Sequence, residues 1–310
     1  MMKKRAAVFA GQGAQAVGMG KDLAEAFPEC AAKFDAASSV LGRDLRKICF
    51  EGPIEELTRS SNCQPAIFVV SALCYDMLRR QAPDAAFCGA AGLSLGEWTA
   101  LYAAGVLSFE DTVRVLEARG RFMQEACDEQ AGGMVSVLGL SLDALQAVCA
   151  SAGVQIANIN SPEQIVLSGP KQAVLDAEAK AKAAGAKRTI VLPVAGAFHS
   201  RLMEPAARKF EAFLSDVSFR APAVPVVANV TGQPHGAPDA IKAAMVQQIT
   251  SSVQWVASVE WFRHGGVTEY VEFGPGKVLA GLIKRIDAAA VAHNVADRAG
   301  LDKTAAALKA

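Results

Sequence analysis

Short apolar runs alternate with helix-like patterns along the first part of the chain. Residues 6–10 and 85–94 are apolar or small without a polar alternation, which is typical of buried strands. Apolar residues at three- and four-residue spacing predict helices that begin near Lys21 and after Pro65. Strands that alternate with helices in this way indicate a parallel sheet with helices on its faces. The predicted fold class is therefore α/β.

A different order of elements is predicted at residues 128–196. Strand, helix, strand, strand, helix and strand follow one another there, with a turn at residues 160–162 between the middle strands. This βαββαβ order is typical of a ferredoxin-like unit, whose ends lie close together and allow insertion into a host fold. We therefore predict a large α/β subdomain in two parts, residues 1–127 and 197–310, on either side of a small inserted subdomain.

Composition and charge exclude several classes of protein. Of the 310 residues, 52% are hydrophobic, so the chain can bury a large core, and a disordered or fibrous chain is excluded. The 31 basic and 31 acidic residues give a net charge of zero, so the chain has no overall positive potential that would attract nucleic acid or an anionic membrane. The first apolar run ends too early for a signal peptide. We expect a monomer with neither nucleic-acid nor membrane partners.

Cysteine usage bears on the compartment and on metal binding. Seven cysteines are scattered along the chain, without a C-x-x-C pair or histidines at the spacing of a zinc site. An odd, dispersed set is typical of reduced thiols in the cytosol. We therefore expect a cytoplasmic protein that binds no metal.

The segment GLSLG at residues 92–96 contains a candidate nucleophile, Ser94. A serine between two such glycines, after a strand and before a helix, is typical of a nucleophile elbow, which exposes the hydroxyl on a tight turn. The alternative is that Ser94 caps the following helix, with Glu97 completing a capping box. Both roles are compatible with each other.

A serine nucleophile needs a general base, and the chain has four histidines. His199 follows an apolar strand, where it would face a cleft, and is the best candidate. The alternative is that His199 caps the next helix, or that its ring is buried in the core with its hydrogen bonds made there. His235, His264 and His293 lie in a turn, at a helix end and near the C-terminus. No acidic residue stands out as a third member, so a backbone carbonyl would have to orient the base.

The helix that follows Ser108 carries an arginine among apolar residues. Its apolar stripe consists of Val115, Leu116, Phe122, Met123 and Ala126, and Arg119 falls in the middle of this stripe. A guanidinium there must find an anion, because a buried unpaired charge costs several kcal/mol. Two partners are possible: an aspartate or glutamate of the chain, or the carboxylate of a substrate.

The glycines after the first strand resemble a dinucleotide-binding fingerprint, Gly11-x-Gly13-x-x-Ala16. The fingerprint requires an acidic residue at the end of a second strand, whereas the corresponding residues here have a helical pattern. We expect instead that these glycines let the backbone pass close to the elbow and present Gln12 to it.

Taken together, the motifs resemble the malonyl-coenzyme A:acyl carrier protein transacylase family over nearly the whole chain. The segments that carry the resemblance are GQGAQ, GLSLGEW, EARGRFMQEA, GAFHSRLMEPAA, VQW and EFGPGKVLAGLIKRI, in the family's order. The family fold is an α/β-hydrolase-like large subdomain with a ferredoxin-like insertion. The resemblance implies malonyl transfer from malonyl-CoA to the phosphopantetheine thiol of acyl carrier protein through a malonyl-serine, in fatty acid synthesis.

The resemblance also implies roles for particular residues. Ser94 would be the nucleophile, His199 the base and Arg119 the partner of the malonyl carboxylate. The N–H groups of Gln12 and Leu95 would form the oxyanion hole. The main-chain carbonyl of Gln248 would orient the histidine, and Phe198 and Met123 would contact the substrate. All of these residues except Gln248 lie within the segments quoted above, and Gln248 lies seven residues before Trp255.

One position departs from the common family pattern. Leu93 stands where many relatives have histidine, which leaves the nucleophile, base and arginine in place but puts the pathway in doubt. A discrete acyltransferase that serves a polyketide synthase and a serine thioesterase or hydrolase remain alternatives. No metal or redox cofactor is expected, because a thioester and an oxyanion hole supply the activation.

Overall fold

The computed structural model describes residues 3–194 and 196–309, so the outer limits of the predicted segments, residues 1 and 310, lie outside it, as does Ala195. Two sheets organise the described residues. Their strands are β1 (Lys4–Phe9), β2 (Gly89–Gly92), β3 (Gly132–Leu138), β4 (Gln155–Ser161), β5 (Gln164–Pro170), β6 (Arg188–Val191), β7 (Val267–Phe273) and β8 (Val291–Val295).

Helices cover both faces of the first sheet and one face of the second. They are α1 (Lys21–Ala26), α2 (Pro28–Leu41), α3 (Leu45–Glu51), α4 (Ile54–Thr58), α5 (Ser60–Gln81), α6 (Leu95–Ala103), α7 (Phe109–Glu129), α8 (Leu142–Ala152), α9 (Lys171–Ala183), α10 (Glu204–Leu214), α11 (Pro238–Gln247), α12 (Trp255–His264), α13 (Val278–Ile286) and α14 (Arg298–Lys309), with a 3₁₀ turn at Arg201–Met203. Within the described residues, none of these helices has the length and apolar character needed to cross a membrane.

The first sheet is parallel and has the strand order β2-β1-β7-β8. Successive side chains of β1 point to opposite faces, and both faces are buried: Ala7 and Phe9 pack into one core, Ala6 and Val8 into the other. Strands buried on both faces consist of continuous apolar residues, which is why the sequence pattern revealed this one. The α/β prediction is confirmed.

The second sheet is antiparallel and has the order β4-β5-β3-β6. Strand β3, the first of these four along the chain, lies between β5 and β6 in the sheet. Helices α8 and α9 pack on one face of the sheet over a separate core. This is the ferredoxin-like order that the pattern predicted. The sheet comes between β2 and β7 along the chain. The division into subdomains at residues 128 and 196 stays a prediction.

Two predicted boundaries are wrong. Helix α5 begins at Ser60 and contains Pro65, rather than beginning after it. Proline has no N–H to donate to the carbonyl four residues earlier, and here the guanidinium of Arg43 donates to that carbonyl, of Ser61, at 2.7 Å. The turn predicted at residues 160–162 is also shorter, because β4 continues through Ser161.

Gly96 and Gly11 let the end of β1 and the loop after it pack directly against the turn between β2 and α6, and Gly92 lets the turn itself close tightly. A Cβ on Gly96 would lie 2.2 Å from the carbonyl oxygen of Phe9, and a Cβ on Gly92 would lie 2.0 Å from the carbonyl of Gly96. A Cβ on Gly11 would lie 2.6 Å from the carbonyl oxygen of Leu93. This confirms that Gly11 allows the backbone to pass close to the elbow.

We expect Gly96→Ala to destabilise the protein, because the added methyl group collides with backbone that cannot move independently. The loss should be about 1–3 kcal/mol or more, measured as a lower midpoint in urea unfolding. Gly281→Ala is the matched control, since its Cβ meets nothing within 4 Å in α13. That change should be neutral or stabilise by up to about 1 kcal/mol. Equal midpoints for Gly96→Ala and wild type would refute the packing argument.

Candidate active site

Ser94 forms the turn between β2 and α6. Its φ of 54° and ψ of −104° lie in a region that non-glycine residues rarely adopt, at a cost of about 1–3 kcal/mol. The side chain of Asn229 stabilises this turn: its Oδ1 accepts from the Ser94 N–H at 2.7 Å, and its Nδ2 donates to the Gly92 carbonyl at 2.7 Å. The half-buried Ser94 hydroxyl is thereby fixed in direction.

The capping box predicted between Ser94 and Glu97 is wrong. Cap residues need an extended backbone, which Ser94 lacks, and its side chain makes no cap hydrogen bond. Glu97 is 1% exposed, and three N–H groups donate to its carboxylate. The donors are Nε2 of His235 at 2.6 Å, the backbone N of Asn229 at 3.1 Å and Nε2 of Gln248 at 2.5 Å.

His199 lies next to the serine hydroxyl. Its Nε2 is 2.8 Å from Ser94 Oγ, and its Nδ1 is 2.9 Å from the carbonyl oxygen of Gln248 and 3.1 Å from that of Ser251. Carbonyl oxygens only accept, so the proton belongs on Nδ1 and the lone pair on Nε2. Nε2 is then an acceptor for the Ser94 hydroxyl proton. Gln248 contributes the carbonyl that the family resemblance implied, and Ser251 contributes a second one that the resemblance did not imply.

The surroundings of His199 keep its ring neutral. The side chain is 4% exposed, and this burial lowers its pKa to about 4, with the charge of Arg119 acting in the same direction. The two carbonyl hydrogen bonds oppose the shift. A neutral imidazole at pH 7 can take up the proton of the serine hydroxyl.

Arg119 is 1% exposed and lies beside the serine. Its Nη2 donates to Ser94 Oγ at 3.0 Å and to Oε1 of Gln248 at 3.0 Å, and its Nη1 donates to Oε1 of Gln64 at 2.8 Å. Its Nε has no hydrogen-bond partner among the described residues. Burial lowers the pKa of Arg119 to about 10, against the opposing charge of Glu97, so the side chain is a cation at neutral pH.

Of the two partners considered for Arg119, an acidic side chain of the chain itself is not observed. None of the ion pairs between described residues includes this guanidinium. All three of its observed acceptors are neutral oxygens, from two amides and a hydroxyl. The arrangement leaves an arginine fork that can bind a carboxylate beside the serine.

The two predicted oxyanion-hole residues flank the serine turn. Leu95 is the first residue of α6, directly after Ser94, and Gln12 follows β1 in the loop that passes the elbow. Neither N–H has a protein acceptor among residues 3–194 and 196–309. The side chain of Gln12 contacts Gln64 at 3.5 Å. The oxyanion-hole role stays a prediction.

The remaining predicted residues are buried around this centre. Phe198 directly precedes His199, and Met123 lies one turn after Arg119 on α7, where its sulfur accepts from Nε2 of Gln64 at 3.6 Å. Leu93 is half-buried and packs against the core on the other side of the parallel sheet. Contact of Phe198 and Met123 with a substrate stays a prediction.

The other histidines do not contact the serine. His235 pairs with Glu97, His293 lies 3.0 Å from Glu269, and His264 is exposed. The sequence did not indicate Asn229, Gln64 or the pair of Glu97 and His235. Gln64 gave no clear signal, because the start of α5 before it, residues 60–62, is polar as well.

Fold and site together define a class of protein. An α/β fold in which a strand, a tight turn and a helix present a serine to a histidine is typical of enzymes that transfer acyl groups to or from serine. This class includes both hydrolases and acyltransferases.

Comparison with known proteins places the chain within this class. The model of the acyl transferase domain family matches residues 7–296. The malonyl CoA-acyl carrier protein transacylase of Escherichia coli K12 is 45% identical over 289 residues, which cover 92% of this chain and 93% of the relative. The chain therefore belongs to the acyl transferase family, among the malonyl CoA-acyl carrier protein transacylases.

Solved structures of related enzymes have the same fold. An acyl carrier protein S-malonyltransferase from Vibrio cholerae O1 superposes with a TM-score of 0.93 at 40% identity, covering 97% of this chain and 99% of that one. A complex described as a holo type II PKS acyl-carrier protein with its malonyl-transacylase, PlMCAT:AntF, gives a TM-score of 0.95 at 39% identity, covering 98% and 99%.

We expect Ser94 to stay reactive at a lower pH than an ordinary histidine allows. The base works only while Nε2 is unprotonated, and the pKa of His199 is lowered to about 4. Labelling of Ser94 by a neutral fluorophosphonate should therefore proceed at a constant rate from about pH 8 to about pH 5.5. Intact-mass spectra give the rate, and circular dichroism checks the fold at each pH. A rate that halves near the ordinary histidine pKa of about 6.5 would contradict this assignment.

Proposed function

We propose that this protein transfers a malonyl group from malonyl-CoA to the phosphopantetheine thiol of acyl carrier protein, in a ping-pong reaction through a malonyl-serine. The observation that carries the proposal is Arg119: a buried cation, 3.0 Å from Ser94 Oγ, whose contacts are neutral oxygens. An acyl group that ends in a carboxylate supplies the missing anion and is at the same time held against the serine.

In the first half-reaction, His199 Nε2 takes the proton of the Ser94 hydroxyl while Oγ attacks the thioester carbon. The N–H groups of Gln12 and Leu95 stabilise the negative charge that develops on the carbonyl oxygen. The carbon–sulfur bond then breaks, and coenzyme A leaves as a thiol with the proton from His199. The product is malonyl-Ser94, with its carboxylate on Arg119.

In the second half-reaction, the phosphopantetheine thiol gives its proton to His199 and attacks the ester carbon. The bond between that carbon and Ser94 Oγ breaks, and the proton on His199 returns to the serine. The malonyl thioester of the carrier protein leaves. The thioester and the oxyanion hole supply the activation in both half-reactions, so we propose a reaction that needs no metal or redox cofactor.

Within the cell, the proposed location is the cytoplasm and the proposed pathway is fatty acid synthesis, with the protein acting as a monomer. Seven free cysteines support a reducing compartment. A polyketide pathway is the second candidate, because the partner in the solved PlMCAT:AntF complex is described as a type II PKS acyl-carrier protein. Turnover with carrier proteins of the two pathways distinguishes them.

A serine hydrolase that passes the acyl group to water is the alternative from the same chemistry. Arg119 argues against it, since an esterase for neutral substrates gains nothing from a guanidinium buried beside its serine. We also propose that Phe198 limits the acyl pocket to malonyl, because a buried ring beside His199 leaves little room for a 2-methyl group, and that Met123 lines the same pocket.

Ser94→Ala should abolish formation of the covalent malonyl-enzyme, because it removes the only atom that becomes acylated. The measurement is intact-mass spectrometry after mixing with malonyl-CoA. Ser215→Ala, which changes an exposed serine outside the site, is the control and should load like wild type. A malonyl adduct on the Ser94→Ala variant would show that the nucleophile is another residue.

Arg119→Ala should lower malonyl loading by at least about 10²-fold, because the carboxylate loses its buried partner. Loading of acetyl, which has no carboxylate, should change by much less. Arg119→Lys should rescue malonyl loading in part, since lysine is a point charge without the fork. Arg121→Ala, on the exposed face of the same helix, is the control. Equal losses for malonyl and acetyl would mean that Arg119 is structural.

A further inference from the structure

Gln64 is a buried glutamine in α5 that has no role in the reaction described so far. It is 0% exposed, so its amide must find partners within the protein. Its Oε1 accepts from Nη1 of Arg119 at 2.8 Å, while its Nε2 lies 3.6 Å from the sulfur of Met123 and 3.5 Å from Oε1 of Gln12. Gln64 therefore contacts three of the residues predicted for the site.

A second amide holds the other side of the same guanidinium. Oε1 of Gln248 accepts from Nη2 of Arg119 at 3.0 Å. The Nε2 of Gln248 donates to the carbonyl oxygen of Ser94 at 3.0 Å and to the carboxylate of Glu97 at 2.5 Å. Since both of these groups only accept, they fix the amide with its oxygen toward Arg119.

Glu97 acts on Arg119 only from a distance. It reaches the guanidinium through the amide of Gln248, and its other oxygen is engaged by His235 at 2.6 Å. Its charge still raises the pKa of Arg119 against the effect of burial. This carboxylate therefore stabilises the cationic form of Arg119 without occupying its N–H groups.

We propose that Gln64 is a positioning residue that determines acyl specificity, because its neutral oxygen holds Arg119 without neutralising it. A carboxylate at the same place would form an internal ion pair with Arg119. The site would then repel the carboxylate of malonyl and accept acyl groups without charge. This inference rests on the proposed malonyl transfer, and it extends the specificity from Arg119 to the residue that orients it.

The decisive substitution is Gln64→Glu, which has nearly the same shape and exchanges an amide for a carboxylate. Malonyl loading from malonyl-CoA should fall by about 10²-fold, mainly through a higher half-saturating concentration. Acetyl loading from acetyl-CoA should stay within about threefold. Gln247→Glu is the control: it adds the same charge at an exposed position next to Gln248 and should change neither rate.

A second substitution, Gln64→Met, keeps the volume and removes the acceptor. Arg119 loses the partner of Nη1, so malonyl loading should fall by about tenfold and acetyl loading by less. Labelling of Ser94 by a neutral fluorophosphonate should change much less than malonyl loading in both variants, because the reagent has no carboxylate to bind Arg119. If Gln64→Glu does not fold, as judged by circular dichroism, the Gln64→Met comparison decides.

The outcomes separate this inference from the proposed function. Selective loss of malonyl loading supports the role of Gln64. Equal loss of malonyl and acetyl loading, or malonyl loading that survives Gln64→Glu, overturns that role and leaves malonyl transfer standing. Wild-type protein that acquires no malonyl group from malonyl-CoA overturns the proposed function, and the inference with it.

Discussion

The guanidinium of Arg119 lies in the interior, 3.0 Å from the hydroxyl of Ser94, and the contacts that the structure gives it are neutral oxygens. A buried cation is costly unless its N–H groups are satisfied, and here two glutamine side chains contribute oxygens for that purpose. The same charge also lowers the pKa of His199. One cation therefore accounts for two buried glutamines, and its charge adds to the effect of burial, which lowers the pKa of His199.

The strained turn at Ser94 is the second constraint, and it depends on packing. Backbone with positive φ persists only where the surroundings hold it in place. Gly96 allows the close contact with the end of β1, Gly92 allows the close contact with the start of α6, and Asn229 bonds both sides of the turn. Glu97 in turn accepts from the backbone N–H of Asn229. The carboxylate whose charge stabilises the cationic form of Arg119 thus also supports the turn that carries the nucleophile.

The sequence was informative where the signal is local. The serine turn follows from glycine spacing, and Arg119 stands out because a charged residue interrupts an apolar helical stripe. Contacts between distant segments leave no such signal: Asn229 and Ser94 are 135 residues apart, and His235 and Glu97 are 138 apart. The predicted start of α5 is wrong for the same reason. The missing N–H of Pro65 is replaced by the guanidinium of Arg43, which lies in the loop between α2 and α3. A buried glutamine such as Gln64 gives no local signal either, because the polar residues 60–62 precede it in the same helix.

In the proposed reaction, Arg119 links recognition of the acyl group to the strength of the base. In the free enzyme its uncompensated charge disfavours a proton on His199. Once a malonyl carboxylate binds the guanidinium, that charge is paired, and the part of the pKa shift of His199 that it causes is reduced; the larger part, which is due to burial, remains. An acyl group without a carboxylate leaves the cation unpaired. Arg119 therefore favours malonyl over neutral acyl groups mainly by binding the carboxylate, and the same contact makes His199 a somewhat stronger base.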